Sequence, residues 1–313
     1  MNRVLVTGGN GFIGRALCAH LSELRVDVVP VVRQLRGVPG ERIVGDDPIA
    51  RADILDTCCV VVHLAGNAQA PRRASTADLE EFRANQVDLA CGWAQAAASA
   101  GVRRFIFVSS AKVNGECTTE GIAFSPNDTP APHDVYAQSK WDTEQALQLV
   151  AADTGMELVI VRPPLVYGPN VKGNFAAMIR AVCQGWPLPL GAIKNLRSMI
   201  AVTNLVDFLS LCADRSASPA AAGRIFMVSD GRPVSTPDLL RLVARVYGCT
   251  ARLLPVPAGL LGGLAHMLGR RHVADRLLGS LVLDDSLAHD LLGWKPVVTL
   301  EEQLRVMANA KNM

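Results

Sequence analysis

The stretch Val4-Leu5-Val6-Thr7-Gly8-Gly9-Asn10-Gly11-Phe12-Ile13-Gly14 limits the fold of this chain more than any other. Val4 to Val6 is an apolar run short enough for a strand covered on both faces, and Arg15 to Leu24 has helical spacing. The glycines therefore fall in a strand-to-helix turn. Gly8 suits the tight turn, Gly11 lets backbone approach a bound group, and Gly14 permits close helix-strand contact. Amides left open at a helix start hold anions, so the turn predicts a pyrophosphate site. A turn of this kind belongs to an α/β fold, a Rossmann-type doubly wound parallel sheet.

Val28 to Val32 reads as the second strand and runs into Arg33, nineteen residues beyond Gly14. An acid at that point accepts hydrogen bonds from the adenosine ribose and selects NAD, whereas arginine pairs with a 2′-phosphate. Arg33, with Arg36 close behind, favours NADP(H); NAD(H) is the alternative, and a solvated strand-end arginine is the plain reading. Ile43 to Asp46 reads as a third strand and Val60 to Gly66 as a fourth, with His63 a buried structural residue inside it. Asp78 to Ala100 predicts a long helix closed by Gly101. It is apolar on two faces, one with Leu79, Phe82, Leu89 and Trp93, the other with Val87, Ala90, Cys91, Ala94 and Ala98.

Phe105 to Val108 is a fifth strand leading into Ser109-Ser110-Ala111, and twenty-six residues after Ser110 comes Tyr136-Ala137-Gln138-Ser139-Lys140. On a helix, Tyr136 and Lys140 share a face. A phenol with a pKa of about 10 is a poor acid near neutrality, and a neighbouring ammonium stabilises the phenolate and lowers that value. With Ser110 binding a substrate oxygen, a carbonyl accepts hydride from a nicotinamide while Tyr136 supplies the proton.

Together the glycine turn, the serine and the Tyr-Lys pair resemble the extended branch of the short-chain dehydrogenase/reductase superfamily, the NAD-dependent epimerase/dehydratase family. The run Ser109 to Glu116 is most similar to its UDP-glucose 4-epimerase-like subgroup, which includes 4-reductases of UDP-4-keto-6-deoxy-N-acetylhexosamines. The resemblance implies catalysis by Tyr136, Lys140 and Ser110. It implies cofactor contacts from Gly8, Asn10, Gly11, Phe12, Ile13, Gly14, Arg33, Asp46, Leu64, Ala65, Gly66, Asn85, Tyr136, Lys140 and Pro163. It implies substrate contacts from Ser110, Lys112, Asn114, Asn174 and Arg197, with a loop-holding Asn114 and an ion-paired Arg197 as the structural alternatives. Relatives that dehydrate sugars carry Asp-Glu where this chain has Ala111-Lys112, which speaks against a dehydratase.

The same resemblance divides the chain into a dinucleotide domain over 1–168, onto which 199–230 packs back, and a substrate lobe over 169–198 and 231–313. It also implies a homodimer through a four-helix interface built from the long helix and the one bearing Tyr136; burial inside a large monomer is the other reading. Pro163-Pro164 ends the sixth strand, Leu158 to Arg162, because proline cannot serve a ladder interior.

Charge narrows the partners. With 31 basic and 29 acidic residues the net charge is only +2, which makes no case for nucleic acid or an acidic membrane surface. The eight cysteines form no Cys-x-x-Cys pair or metal-ligand cluster, and strand-forming residues begin at Val4, so a reduced, cytoplasmic, metal-free protein is expected. Leu253 to Leu268 is apolar but broken by prolines and glycines, too short for a confident span, and reads as lobe core. Three functions follow in order: an NADP(H)-dependent 4-keto nucleotide-sugar reductase, a UDP-hexose 4-epimerase holding NAD, and a non-catalytic nucleotide-binding subunit.

Overall fold

Alternate residues of β1 (Arg3–Thr7) point to opposite faces of a sheet, and both faces are apolar. Val4 and Val6 enter one buried cluster and Leu5 another, so helices must cover the strand on both sides. The computed structural model describes residues 3–45, 48–66, 75–267 and 277–310 and shows that arrangement. Seven strands form one sheet in the order β3 (Arg42–Ile43), β2 (Val28–Val32), β1, β4 (Cys58–His63), β5 (Arg104–Val108), β6 (Glu157–Arg162) and β9 (Ile225–Met227). Every neighbouring pair is parallel. The order reverses between β1 and β4, which opens a crevice at their carboxyl ends.

On one face, α1 (Phe12–Glu23) and α6 (Val202–Ala213) bury Leu17, Leu21, Leu205, Phe208 and Leu209 against Val4, Val6, Val60 and Val62. On the other, α3 (Thr76–Ser99) and α4 (Val135–Thr154) bury Trp93, Ala94, Ala97 and Leu147 against Leu5, Val61, Phe105 and Phe107. A capping box between Ser75 and Asp78 starts α3 two residues before the expected Asp78, and Gly101, at φ +77°, follows its end. Ala90 and Ala94, from the second apolar face, are consumed by the chain's own core.

After β6, Pro163 and Pro164 end the main-sheet ladder, and β7 (Leu165–Tyr167) pairs instead with β8 (Met199–Ala201). A separate apolar cluster forms beyond it, with Phe175 and Ile179 of α5 (Gly173–Cys183) against Leu240 and Val243 of α7 (Thr236–Val246). Then β8 leads directly into α6, which returns the chain to the sheet.

Two expectations need correction. The segment from Leu253 is not lobe core: α8 (Ala258–Met267) leaves Leu260 67% and Met267 85% exposed. Leu253 still bridges to Leu188, but Pro255 and Pro257 carry the chain off that edge. Leu268 lies outside the described residues. The third strand is only Arg42–Ile43, an edge strand with Ile43 exposed, and Asp46 also lies outside the described residues.

Candidate active site

The glycine turn is close to its steric limit. A Cβ on Gly14 would sit 2.2 Å from the carbonyl oxygen of Gly8, and one on Gly8, at φ +68°, would sit 2.9 Å from the amide of Ala65. Gly11 occupies the N-cap of α1 with no side-chain cap, so the first-turn amides around Phe12 and Ile13 stay available to an anion. Asn10 donates to the carbonyl of Gln34 at 2.6 Å, and Arg15 donates to the carbonyls of Asn10 and Arg36, both at 3.0 Å. These bonds tie the turn to the end of β2, where Arg33 and Arg36 are exposed. The nearest following acid, Glu41, accepts from the amides of Arg36 at 2.7 Å and Gly37 at 3.0 Å.

The opposite wall is held by Thr7. Its hydroxyl oxygen accepts from the amides of Leu64 at 3.2 Å and Ala65 at 3.1 Å and lies 3.0 Å from Nδ1 of His63. Leu64 and Ala65 are thereby drawn against Gly8, Gly66 lies beside the Gln86 side chain, and Asn85 is exposed on α3. Burial, with Lys140 and Arg51 nearby, pushes His63 down to about 3. It is a neutral ring stacked on Phe105, with no proton to exchange near neutrality.

The end of β5 separates the two serines. Ser109 is buried and its hydroxyl donates to Glu144, whereas Ser110 is half-buried and hydrogen-bonds the phenol of Tyr136. Asp134 caps α4 by accepting from the amide of Ala137 at 2.7 Å, which places Tyr136 in the first turn and Lys140 one turn on. The Lys140 ammonium donates to the carbonyl of Val108 at 3.0 Å, lies 4.6 Å from the Phe107 ring centre and 6.0 Å from that of Tyr136. Burial pushes Lys140 down to about 8, with Glu144 acting the other way. The expected lowering of Tyr136 is not found. Burial first, and then the Asp134 carboxylate, push the phenol up to about 12, with only the Ser110 hydrogen bond opposing them.

Of the expected substrate contacts, two are committed within the protein. Lys112 pairs with Asp134 at 2.6 Å and Glu116 at 2.9 Å. Asn114 is buried, its oxygen accepting from Arg162 and its nitrogen donating to the carbonyl of Ser125, both at 3.0 Å. That geometry matches the loop-holding reading of Asn114. Asn174 is exposed in the first turn of α5, and Arg197, in a bridge to Val234 and Leu281, donates to the carbonyl of Gly279 at 2.9 Å. Pro163 is buried at the end of β6, its carbonyl accepting from the amide of Ala111 at 2.9 Å.

The NAD dependent epimerase/dehydratase family matches residues 4–228, from β1 through the end of β9. The chain belongs to that family. A UDP-glucose 4-epimerase of Vibrio cholerae is 38% identical over 98% of this chain and 94% of its own length. A UDP-2-acetamido-2,6-beta-L-arabino-hexul-4-ose reductase of Pseudomonas aeruginosa is 30% identical over 58% of this chain and 40% of its own. Among solved structures, the UDP-glucuronic acid 4-epimerase of Bacillus cereus in complex with NAD shares the fold, with a TM-score of 0.78, 18% identity and 99% of both chains covered.

In this member of the epimerase/dehydratase family, several residues that support the site were missed from sequence. Glu144 follows Lys140 by one further turn, and its carboxylate binds Arg162 at 2.5 and 3.0 Å beneath Ser109. Both are buried, so the pair is a fixed strut under the Ser109–Ser110 segment. The i, i+4 continuation Tyr136, Lys140, Glu144 was the available signal. Asp134 is a helix-start residue immediately before an apolar position, which the capping rule detects. Thr7, by contrast, carries no signal beyond its place before Gly8.

Proposed function

We propose that this protein is an NADP(H)-dependent oxidoreductase that reduces the 4-keto group of a nucleotide sugar of the UDP-4-keto-6-deoxy-N-acetylhexosamine type. The cofactor's nicotinamide supplies hydride to the carbonyl carbon. Ser110 orients the carbonyl oxygen, Tyr136 delivers the proton, and Lys140 fixes the tyrosine and the cofactor ribose. Burial holds the phenol in its protonated form, so Tyr136 carries the proton that the developing alkoxide, the stronger base, takes up.

The observation that carries the NADP(H) reductase is Arg33, exposed at the end of β2 beside Arg36, with no acid between Arg33 and Gly40 to accept the ribose hydroxyls that NAD presents. The Pseudomonas reductase acting on a 4-keto sugar supports the reaction type. The second reading is a UDP-hexose 4-epimerase that retains NAD and returns the same hydride to the other sugar face. Its support is the 38% identity to the Vibrio epimerase across nearly the whole chain. Asn174 and Arg197 are proposed to contact the substrate diphosphate. A homodimer through α3 and α4 is part of the same proposal. Among the described residues no helix is long and apolar enough to cross a membrane.

The test is to incubate purified protein with UDP-4-keto-6-deoxy-N-acetylglucosamine and either NADPH or NADH. Oxidation of NADPH in preference to NADH is expected. Oxidation of neither, with NAD released on denaturation and UDP-hexoses interconverted, establishes the epimerase instead.

A further inference from the structure

Lys112 stands where its dehydrating relatives carry an acid, yet its ammonium does not point outward as a lone substrate contact. It closes on Asp134 at 2.6 Å and Glu116 at 2.9 Å. Asp134 has two oxygens with two tasks: one accepts from the amide of Ala137 and starts α4, the other holds Lys112. The three-residue 3-10 turn Ala111–Val113, which carries Lys112, is itself capped by the Ser110 side chain, whose oxygen accepts from the amide of Lys112 at 3.3 Å. One ion pair therefore joins the segment bearing Ser110 to the helix start bearing Tyr136.

We infer that Lys112 is a positioning residue: by pairing with Asp134 it docks the first turn of α4 against the Ser110 turn and neutralises the carboxylate two residues before Tyr136. The inference rests on the catalytic roles given above to Ser110 and Tyr136.

The charged and titratable surroundings of the phenol support it. Asp134 disfavours the phenolate, and Lys112 is the cation paired with it from the turn after β5. Glu116, from the same loop, shares that ammonium. On α4, Lys140 lies one turn away, and Glu144 beyond it is neutralised by Arg162 of β6. His63 of β4 is neutral. The Lys112–Asp134 pair is thus a charge that acts on Tyr136 and is set from outside α4. Removing the cation leaves Asp134 uncompensated and makes the phenol harder to ionise; removing the carboxylate charge does the reverse.

The experiment compares Lys112→Met, Lys112→Arg and Asp134→Asn in the full-length protein; asparagine retains the cap. Tyrosinate absorbance is titrated against pH, with Tyr136→Phe as the blank that removes the signal of Tyr167 and Tyr247, and the pH profile of kcat/KM is measured alongside. Lys112→Met is expected to move the Tyr136 titration upward by about one pH unit and Asp134→Asn to move it downward by a similar amount, with Lys112→Arg restoring the wild-type value. Loss of kcat should exceed any rise in KM in Lys112→Met. A titration unmoved in both variants overturns the inference, as does a rise in KM alone, which would return Lys112 to direct substrate contact. The absorbance titration needs no turnover, so opposite shifts in a protein inactive on every sugar tested uphold the pair and reject the proposed reaction. Thermal melts identify a variant that has merely unfolded, and where Lys112→Met does so the downward shift in Asp134→Asn, which keeps the cap, decides.

Discussion

The glycine turn after β1 and the lobe beyond Pro163 differ in how closely their backbones are packed. In the turn, the backbone itself forms the surface: a methyl on Gly14 meets the Gly8 carbonyl oxygen at 2.2 Å, and one on Gly9 meets the Pro30 Cβ at 2.6 Å. In the lobe, Gly259, Gly262 and Gly263 have nothing within 4 Å of an added methyl, and the contacts proposed there, Asn174 and Arg197, are side chains. Backbone recognition leaves a fixed spacing in sequence and is common to every bound dinucleotide. Side-chain recognition leaves scattered residues whose meaning depends on where the fold brings them.

Substitutions can sharpen or break this contrast. The largest effect belongs to chemistry rather than to either surface: Tyr136→Phe is expected to lower turnover by roughly a hundred- to ten-thousand-fold while nucleotide affinity, measured by fluorescence titration, stays intact. Loss of both would mean that the helix start had collapsed. Next comes the strut beneath the serines. Arg162→Met leaves Glu144 buried without its partner and should cost about 3–5 kcal/mol in urea-unfolding stability. A change below about 1 kcal/mol would show the pair to be solvated.

Gly14→Ala should follow, destabilising the protein by about 1–3 kcal/mol through overpacking and weakening nucleotide binding with it. Its counterpart in the lobe, Gly262→Ala on α8, should stabilise by about 0.5–1 kcal/mol, since it adds helix propensity and meets no atom. Equal effects at the two glycines would erase the contrast. The smallest effect is a slope. Lys140 is held down to about 8 in the folded protein, against 10.5 for an ordinary lysine, so between those values the unfolded chain binds more protons and this group makes stability rise with pH. Lys140→Met should flatten that rise in melts recorded across the window.

What was legible from sequence follows the same division. The turn, the strand and helix order, and the pairing of Tyr136 with Lys140 were visible because covalent spacing alone determines them. The Lys112–Asp134 and Glu144–Arg162 pairs were not, since their members lie 22 and 18 residues apart on separate elements that meet only after folding. Tyr136 shows the same limit in energetic form. Spacing announces a nearby ammonium, but the extent of burial, which dominates the Tyr136 phenol, is a property of the packed site. α8 was misread because apolar composition was taken for burial, when two prolines had already turned the chain outward.

Hydride accounting separates net reduction by an external cofactor from return of the same hydride to the sugar. The protein is given NADPH deuterated on the transferable position of its nicotinamide, together with the 4-keto sugar nucleotide, and the product is read by mass spectrometry and NMR. One deuterium at C4 of the sugar is expected for each NADPH consumed. Unlabelled sugar interconverted at C4 with no loss of NADPH would contradict net reduction and make the protein an epimerase.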